Sequence, residues 1–286
     1  MSSDAARLIR QEDSIPSGTS GVAMSCAGIE RSFGGLRALK GVDLEVRRGE
    51  IFGLVGPNGS GKTTLVNVMT GFYPPNKGRV RLWGRDITGM APSAIARLGV
   101  ARTFQNLALF KGLSVLDNIL LGRHVHMRPG ALASLFYWVW AEREEIAHRR
   151  IVEEIIDFMQ LQDIRDEPVE TIPIGLQKRV ELARALAAEP NFLILDEPMA
   201  GMNQEEKEYI ARFILDAREE RDVTILLIEH HMDVVTAICD RITVLSYGEV
   251  IAEGEPRAAI AHPRVVEAYL GQRAASRVGV RVEVQV

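Results

Sequence analysis

One stretch constrains what this chain can fold into more than any other, a glycine-rich loop behind a short apolar run. The run Ile51–Val55 has the length and composition of a buried parallel strand. After it, Gly56 and Gly61 are separated by four residues, and Lys62 and Thr63 follow at once. This spacing predicts a strand, a tight loop and a helix that begins near Gly61, so that backbone N–H groups face a polyphosphate.

The side chains of this loop are predicted to hold phosphate and metal. Lys62 would reach the β- and γ-phosphates of a nucleotide, and the Thr63 hydroxyl would ligate Mg²⁺. A glycine-rich turn without chemical consequence is the alternative, and the flanking strand and helix signals count against it. The predicted nucleotide-binding residues of the loop are Gly56, Pro57, Asn58, Gly59, Ser60, Gly61, Lys62, Thr63 and Thr64.

Length and composition limit the class of protein. For 286 residues we expect one core that carries an inserted subdomain. The net charge of −4 gives no support for a nucleic-acid-binding surface. The two cysteines, Cys26 and Cys239, are far apart and suit a reducing cytosol better than a disulfide framework. Residues 1–20 lack a signal-peptide core, and the longest apolar stretch elsewhere, residues 131–141, is about half of the ~20 residues that span a bilayer.

Two further apolar runs end in residues suited to the activation of water. Residues 191–195 form a predicted buried strand that is followed by Asp196 and Glu197. Asp196 would hold Mg²⁺ or its waters, and Glu197 would orient or deprotonate an attacking water. A pair of acids that only caps a helix is the alternative. Residues 223–228 form another predicted buried strand, which is followed by Glu229, His230 and His231, and a histidine there would contact a γ-phosphate and hold the catalytic carboxylate in place.

Two more candidate residues lie at turns. Residues 22–49 predict a small antiparallel sheet, and Phe33 stands at its turn, where it would stack on an adenine ring or pack beneath the sheet. Gln105 follows a short strand over residues 99–104. Its amide would reach a metal-bound phosphate, although most glutamines at such places are only loop residues.

The middle of the chain, from residue 107 to about 172, predicts helices. Ser114 caps a helix over residues 115–122, and a second helix is predicted over residues 142–160. These helices indicate an inserted helical subdomain. The connection between them, residues 132–140, is unusually aromatic and either folds onto its own subdomain or docks on a membrane partner or lipid headgroups.

With these motifs in this order, the chain resembles the ATP-binding-cassette (ABC) ATPases from about Met24 to Gly271. The resemblance implies an α/β fold, in which a P-loop NTPase (RecA-like) core carries an N-terminal antiparallel β subdomain and an inserted α-helical subdomain. It implies a flexible tail over residues 1–22, an ATPase domain over 23–272 with the helical subdomain at about 107–176, and a C-terminal tail over 273–286. The implied cofactors are ATP and Mg²⁺.

The resemblance also implies residue roles. Residues 56–63 match the Walker A motif, residues 192–196 Walker B and residues 200–203 the D-loop. Gln105 matches the Q-loop glutamine, which acts in catalysis and at the metal. Glu197 is then the catalytic base, His230 the switch histidine and Phe33 the adenine-stacking aromatic. His231 stands where such proteins often have Asp, and we expect it to be solvated.

The signature motif departs from the family pattern. Where Leu-Ser-Gly-Gly-Gln is common, this chain has Ile172-Pro173-Ile174-Gly175-Leu176. In the family this loop closes over the γ-phosphate bound to the partner subunit, which implies that Gly175 binds nucleotide in trans through an accessible backbone. Pro173 lacks a hydroxyl and an N–H, so one or two hydrogen bonds of roughly 0.5–1.5 kcal/mol each are missing, which weakens catalysis without forbidding it.

More narrowly, the chain resembles the LivG-type ATPase subunits of importers for branched-chain amino acids and related compounds. That resemblance implies a second ATPase subunit, identical or related, two transmembrane permease subunits, a solute-binding protein that acts indirectly, and no nucleic acid. It places the chain on the cytoplasmic face of the inner membrane as a peripheral subunit. It rests on Arg31-Ser32-Phe33-Gly34-Gly35-Leu36, Ala101-Arg102-Thr103-Phe104-Gln105-Asn106 and Leu227-Ile228-Glu229-His230-His231-Met232.

Two other classes of protein remain open. The altered signature also suits a non-hydrolytic ATP-dependent clamp or regulatory module, although Glu197 and His230 argue against it. A soluble ABC ATPase acting on DNA or ribosomes is the third class. Such proteins commonly have long coiled-coil insertions or tandem cassettes, whereas this chain has a single P-loop and a short helical insertion.

Overall fold

The structure, a computed structural model, describes residues 21–104, 108–126 and 137–277, with their side chains except those of 137–145 and 271–277. The strands are β1 (Val22–Phe33), β2 (Leu36–Arg47), β3 (Ile51–Val55), β4 (Lys77–Leu82), β5 (Arg85–Asp86), β6 (Val100–Arg102), β7 (Phe192–Asp196), β8 (Thr224–Ile228), β9 (Arg241–Ser246) and β10 (Glu249–Gly254). The α-helices are α1 (Lys62–Met69), α2 (Pro92–Arg97), α3 (Val115–Leu120), α4 (Tyr137–Phe158), α5 (Ile174–Ala187), α6 (Gln204–Arg221), α7 (Met232–Ile238), α8 (Pro256–Ile260) and α9 (Pro263–Arg277).

Four strands form an antiparallel sheet in the order β2-β1-β4-β5. β1 and β2 are a hairpin in which Phe33 pairs with Leu36. Gly34 in the turn has φ +54°, a conformation that glycine adopts without steric cost. The antiparallel sheet predicted before the P-loop strand is therefore confirmed, and it also recruits β4 and β5 from beyond that strand.

Six strands form the central sheet in the order β10-β9-β3-β8-β7-β6. Every neighbouring pair from β9 to β6 is parallel, and β10 adds an antiparallel edge. β8 lies between β3 and β7, so the carboxyl ends of these three strands meet at one edge of the sheet. Ligands of open α/β sheets bind outside this edge, which is where the loop 56–64, the acids after β7 and the histidines after β8 lie.

Alternate side chains of the central strands enter two cores, one on each face. On β7, Leu193 and Leu195 belong to the core shared with helices α3 to α9, while Phe192 and Ile194 pack with the antiparallel sheet, α1 and α2. All five residues of β3, β7 and β8 are buried. Burial on both faces explains why these strands read as continuous apolar runs.

The inserted helices lie between β6 and β7, as predicted. Ser114 caps α3, because its Oγ accepts a hydrogen bond from the Asp117 N–H at 3.0 Å. α4 begins at Tyr137, before the predicted residue 142, so the end of the aromatic stretch 132–140 belongs to a helix and the prediction of a connection there is wrong. Residues 132–136 lie outside the described residues.

The α/β fold class is confirmed, and the predicted domain boundaries stay predictions. β1 begins at Val22, inside the predicted tail of residues 1–22. The predicted end of the helical subdomain at 176 falls within α5, and α9 continues to Arg277, beyond the predicted end at 272. Among the described residues, no helix is both long enough and apolar enough to cross a membrane.

Candidate functional site

Backbone contacts fix the loop after β3. Gly56 is buried with φ +151°, and a Cβ at this position would collide with the carbonyl oxygen of Leu245 on β9. The Ser60 N–H donates to the Pro57 carbonyl at 3.2 Å, and the Gly248 N–H donates to the Ser60 carbonyl at 2.9 Å. The loop is thus held against β9 and its turn, and close approach of the backbone requires glycine at position 56.

Lys62 begins α1 and reaches back over the loop. Its Nζ donates to the carbonyl oxygens of Gly56 at 2.7 Å and Pro57 at 3.1 Å. Burial lowers the pKa of the Lys62 ammonium, and the charges of Glu197 and Asp196 oppose this shift. The ammonium therefore lies between the loop and two carboxylates, where a polyphosphate would meet a positive charge.

The rest of the loop presents groups that suit an anion. Asn58, Gly59 and Thr63 are exposed, whereas Ser60 is buried and its Oγ has no hydrogen-bond partner among the described residues. Gly61 is the N-cap of α1 with φ +106°, and no described side chain caps this helix end. An uncapped helix N-terminus next to an unpaired hydroxyl fits a phosphate. The structure places the predicted residues 56–61 in the loop and residues 62–64 in the first turn of α1.

Asp196, at the end of β7, is buried and paired with an arginine. Arg102 Nη2 donates to Asp196 Oδ2 at 2.8 Å, and its Nη1 donates to Asn67 Oδ1 at 2.6 Å. The Asp196 N–H donates to Thr103 Oγ1 at 3.2 Å. Arg102 thereby joins the end of β7 to α1, because Asn67 lies on that helix.

Two of the three predicted metal ligands come together. The Thr63 hydroxyl at the start of α1 and the Asp196 carboxylate at the end of β7 lie at the same edge of the sheet. Hydroxyl and carboxylate oxygens are the hard ligands that Mg²⁺ prefers, so this donor set fits the ion. Gln105, the third predicted ligand, lies outside the described residues.

Glu197 has a backbone conformation that few residues other than glycine adopt. Its φ is +49°. Its N–H donates to the Ile228 carbonyl at 2.9 Å, and its own carbonyl accepts from the Ala200 N–H at 3.2 Å. These two hydrogen bonds hold the Glu197 backbone in its strained conformation. Residues strained in this way cluster at active sites.

The residues after β8 form a cluster around the buried carboxylate of Glu229. Its Oε2 accepts from the His230 N–H at 3.1 Å and lies 3.0 Å from His231 Nδ1. The His230 side chain is 48% exposed, so a ligand can reach it, and its ring stacks on that of His231 with centroids 4.1 Å apart. The expectation that His231 is solvated is wrong: its side chain is only 24% exposed, because Glu229 binds it.

Phe33 lies in an aromatic and cationic group at the hairpin turn. The Arg31 guanidinium is 4.7 Å from the Phe33 ring centroid, and the Tyr73 ring lies edge-on at 5.2 Å. The hairpin is close to the loop, since a Cβ on Gly61 would lie 2.8 Å from the carbonyl oxygen of Ala38 on β2. Its surroundings agree with the adenine-stacking role of Phe33, which stays a prediction.

The loop that was predicted to bind nucleotide in trans is covered. Gly175 is buried in the first turn of α5, and a Cβ there would collide with Glu206 Oε1 from α6. Glu206 also accepts from the Asn203 N–H at 2.9 Å, in the capping box that begins α6. The expectation of an accessible Gly175 backbone is therefore wrong. Pro173 and Ile174 are the exposed residues of this loop.

Three further residues at the site were absent from the sequence-based predictions. The sequence could have indicated two of them, because Arg102 is a charged residue in a buried strand and Glu229 is an acid directly after one. Charged residues in such places are rarely buried without a partner. Tyr269 on α9 carried no such signal. Burial raises its pKa to about 12, and the backbone of Gly56 opposes the shift, which places α9 next to the loop.

Two family descriptions match the chain. The first, ABC transporter, matches residues 39–200, which is more than half of the 286 residues. The chain belongs to the ABC transporter family. The second description, branched-chain amino acid ATP-binding cassette transporter, matches residues 249–275 of this ABC protein.

Relatives of this ABC protein match along most of their length. It is 39% identical over 249 residues to the high-affinity branched-chain amino acid transport ATP-binding protein BraF of Pseudomonas aeruginosa, an alignment covering 87% of this chain and 98% of the relative. It is 38% identical over 252 residues to the corresponding protein LivG of Salmonella typhimurium, covering 86% and 96%.

Two solved structures show the same fold. The ADP conformation of an ATP-binding cassette of an ABC transporter aligns with a TM-score of 0.77 and 35% identity, covering 88% of this chain and 100% of that one. A dimeric post-hydrolysis cassette bound to ADP and phosphate aligns with a TM-score of 0.68 and 25% identity, covering 82% and 99%. This protein is thus an ATP-binding subunit of the ABC type, an ATPase.

Proposed function

We propose that this ABC ATPase energises the uptake of branched-chain amino acids or related small solutes through a partner permease. One observation carries the proposal, which is that the residues to which we assign ATP hydrolysis lie at one edge of the central sheet. Lys62 lies near enough to Glu197 and Asp196 for both charges to act on its pKa, and His230 follows the neighbouring strand β8. The names of the relatives and the match over residues 249–275 support the solute class.

ATP is proposed to lie along the loop 56–64 with its adenine on Phe33. Lys62 and the N–H groups at the start of α1 bind the β- and γ-phosphates. Thr63 and Asp196 hold Mg²⁺, together with Gln105. When bound, the metal neutralises charge on the phosphate oxygens and favours attack at the γ-phosphorus.

Glu197 is the proposed general base, and His230 assists it. The Glu197 carboxylate orients the attacking water and accepts its proton. Because β7 and β8 are paired, with Asp196 opposite Ile228, the residues after the two strands are held side by side. His230 can therefore contact the γ-phosphate and the base together.

A second ATPase subunit, identical or related, completes each site. The loop of one subunit binds the phosphates from one side, and the N-terminus of α5 from the partner covers the other side. Since Glu206 covers Gly175, we propose that this carboxylate moves aside when the subunits close on ATP. The dimeric cassette bound to ADP and phosphate supports the arrangement.

The permease is proposed to dock next to Gln105. Phe104, which precedes it, is 40% exposed and lies edge-on to the exposed Phe72, with centroids 6.4 Å apart. An exposed aromatic pair suits contact with a cytoplasmic helix of the permease. The Phe104 N–H also donates to Glu181 on α5 at 3.3 Å, which links the docking surface to the partner-facing helix. The chain would then lie at the cytoplasmic face of the inner membrane, as a peripheral subunit.

Replacement of the base tests the proposal. In the purified full-length chain, Glu197→Gln should lower ATP turnover by at least about 100-fold, keep ATP affinity and accumulate an ATP-bound dimer. The matched control is Glu219→Gln, an exposed carboxylate on α6 that should leave turnover unchanged. Turnover near wild type in Glu197→Gln would refute the role of Glu197.

Transport is tested in cells. When the chromosomal copy carries Glu197→Gln, uptake of labelled leucine, isoleucine and valine should fall to background. Unchanged uptake of all three would refute this solute class. A wild-type chain that dimerises on ATP and releases no phosphate would instead favour the non-hydrolytic clamp.

A further inference from the structure

Glu229 is the most completely enclosed acid at this edge of the sheet. It is fully buried between the end of β8 and the start of α7. A carboxylate in such a place is costly unless hydrogen bonds satisfy its oxygens. Both oxygens are satisfied, by donors that belong to two different segments of the site.

The first donor belongs to the segment after Walker B. The Met199 N–H donates to Glu229 Oε1 at 3.1 Å, and Met199 directly precedes residues 200–203, which match the D-loop. This segment ends at Asn203, the N-cap of α6, and the capping partner of Asn203 is Glu206. Because Glu206 covers Gly175, the segment is linked to the start of α5 through this capping partner.

The second oxygen holds the switch region. Glu229 Oε2 accepts from the His230 N–H at 3.1 Å and lies 3.0 Å from His231 Nδ1. With Glu229 ionised, the Nδ1 atom of His231 carries the proton and donates it. The same three side chains offer metal-ligand atoms within 4.8 Å of one another, but the carboxylate is enclosed and already engaged by these donors.

We propose that Glu229 is a positioning residue that couples the segment 199–203 to the switch histidine His230, with His231 fixing the carboxylate. Resting on the proposed function, this assigns a path from the partner-facing Gly175, through Glu206, Asn203 and Met199, to the catalytic edge of the same subunit. Docking of the partner would displace Glu206 and shift the segment. Glu229 would pass that shift to the backbone of His230, which sets the ring against the γ-phosphate.

Steady-state kinetics of the full-length chain test the coupling. Glu229→Gln keeps the shape but replaces one acceptor oxygen with a donor, so kcat should fall about ten-fold while KM for ATP changes less than about two-fold. His231→Ala should lower kcat in the same way, and His231→Asn should restore most of it, because its amide N–H can donate to the carboxylate. The double variant Glu229→Gln/His231→Ala should be no slower than Glu229→Gln, since residues that act as a unit are not additive.

Two further measurements separate positioning from folding. In a Glu197→Gln background, Glu229→Gln should still form the ATP-driven dimer, and Glu220→Gln, an exposed carboxylate on α6, is the control with unchanged kcat. Loss of the dimer, additive effects, or a kcat within about two-fold of wild type would overturn the coupling. If Glu229→Gln fails to fold, the comparison of His231→Ala with His231→Asn decides alone, and equal rates for the two overturn it. A wild-type chain without turnover would instead refute the proposed ATPase cycle, and the inference with it.

Discussion

The two surfaces that enclose a nucleotide in this family are built differently in this chain. The P-loop surface, residues 56–64 with Asp196, is fixed by contacts within the subunit. Lys62 is bound to two carbonyl oxygens of its own loop, Gly56 lies against the backbone of β9, and Asp196 is paired with Arg102. Phosphate would meet groups that are already in place.

The partner-facing surface, residues 172–176, is held by fewer contacts within the subunit. Pro173 is the N-cap of α5 without a capping side chain among the described residues, and Ile174 is exposed. Gly175 is covered by the far end of a flexible glutamate. The difference teaches that residues 56–64 are preorganised for phosphate, whereas the contribution that we propose for residues 172–176 to a partner's site would form only on closure.

The largest effect should come from breaking the P-loop surface at Gly56. In Gly56→Ala the new methyl group meets the backbone oxygen of Leu245, which cannot move without β9. We expect the free energy of unfolding to fall by about 3 kcal/mol and ATP affinity to be lost. Urea unfolding and titration with a fluorescent nucleotide measure the two quantities.

Gly28→Ala is the matched control for Gly56→Ala. Gly28 also has a positive φ, +61°, but nothing lies within 4 Å of a Cβ there. Only the backbone strain remains, about 1 kcal/mol, and ATP affinity should not change. Equal losses in the two variants would show that strain, and not the contact with β9, fixes the loop.

Arg102→Leu should have the next largest effect. It leaves the buried Asp196 carboxylate without its partner, which costs about 3 kcal/mol of unfolding free energy in the absence of metal. Mg·ATP should recover part of this loss, because Mg²⁺ then balances the same carboxylate. Thermal unfolding in EDTA and in Mg·ATP gives both values.

An exposed ion pair is the control for Arg102→Leu. Arg212 lies 3.8 Å from Asp216 on α6 and its side chain is 77% exposed. Arg212→Leu should change the free energy of unfolding by less than about 0.5 kcal/mol, with or without nucleotide. A loss in Arg102→Leu that Mg·ATP leaves untouched would contradict the placement of the metal at Asp196.

The P-loop surface is also the part that the sequence predicts well. The strand Ile51–Val55 and a helix that begins at Lys62 follow from glycine spacing and an apolar run, which are local signals. The buried strands β7 and β8 and the acids and histidine beyond them follow from the same kind of signal. Their convergence needs only the rule that parallel strands end at one edge.

Contacts between residues that are distant along the chain could not be predicted from the sequence. The pairing of Arg102 with Asp196 joins positions 94 residues apart, and no local pattern encodes it. The cover of Gly175 by Glu206 likewise depends on how α5 packs against the start of α6. His231 was predicted to be solvated because it stands where related proteins often have Asp, and its contact with the buried Glu229 shows only in the structure. The partner-facing surface was therefore the least predictable part of the site.

Pro173→Ser should strengthen the partner-facing surface moderately. Serine restores a capping hydroxyl and an N–H at the start of α5, where each hydrogen bond is worth roughly 0.5–1.5 kcal/mol. We expect ATP turnover of the assembled dimer to rise several-fold. Pro173→Ala restores the N–H alone and should give a smaller rise. Equal rates in the two variants would show that the hydroxyl contributes nothing to the trans site.

The smallest effect should come from Gly175→Ala, the same substitution that is most damaging in the P-loop. Here the methyl group meets Glu206 Oε1, and the Glu206 side chain can rotate away, which gives up the hydrogen bond that its Oε2 accepts from the Asn203 N–H. The free energy of unfolding should fall by about 1 kcal/mol, the value of a helix cap. In a Glu206→Ala background the same change should cost almost nothing, because the atom that it displaces is absent. Two outcomes would contradict this: a loss of unfolding free energy as large as that of Gly56→Ala, or a loss that persists in the Glu206→Ala background. Either would mean that rigid backbone, and not a movable side chain, closes this surface. The two halves of the site would then be equally preorganised.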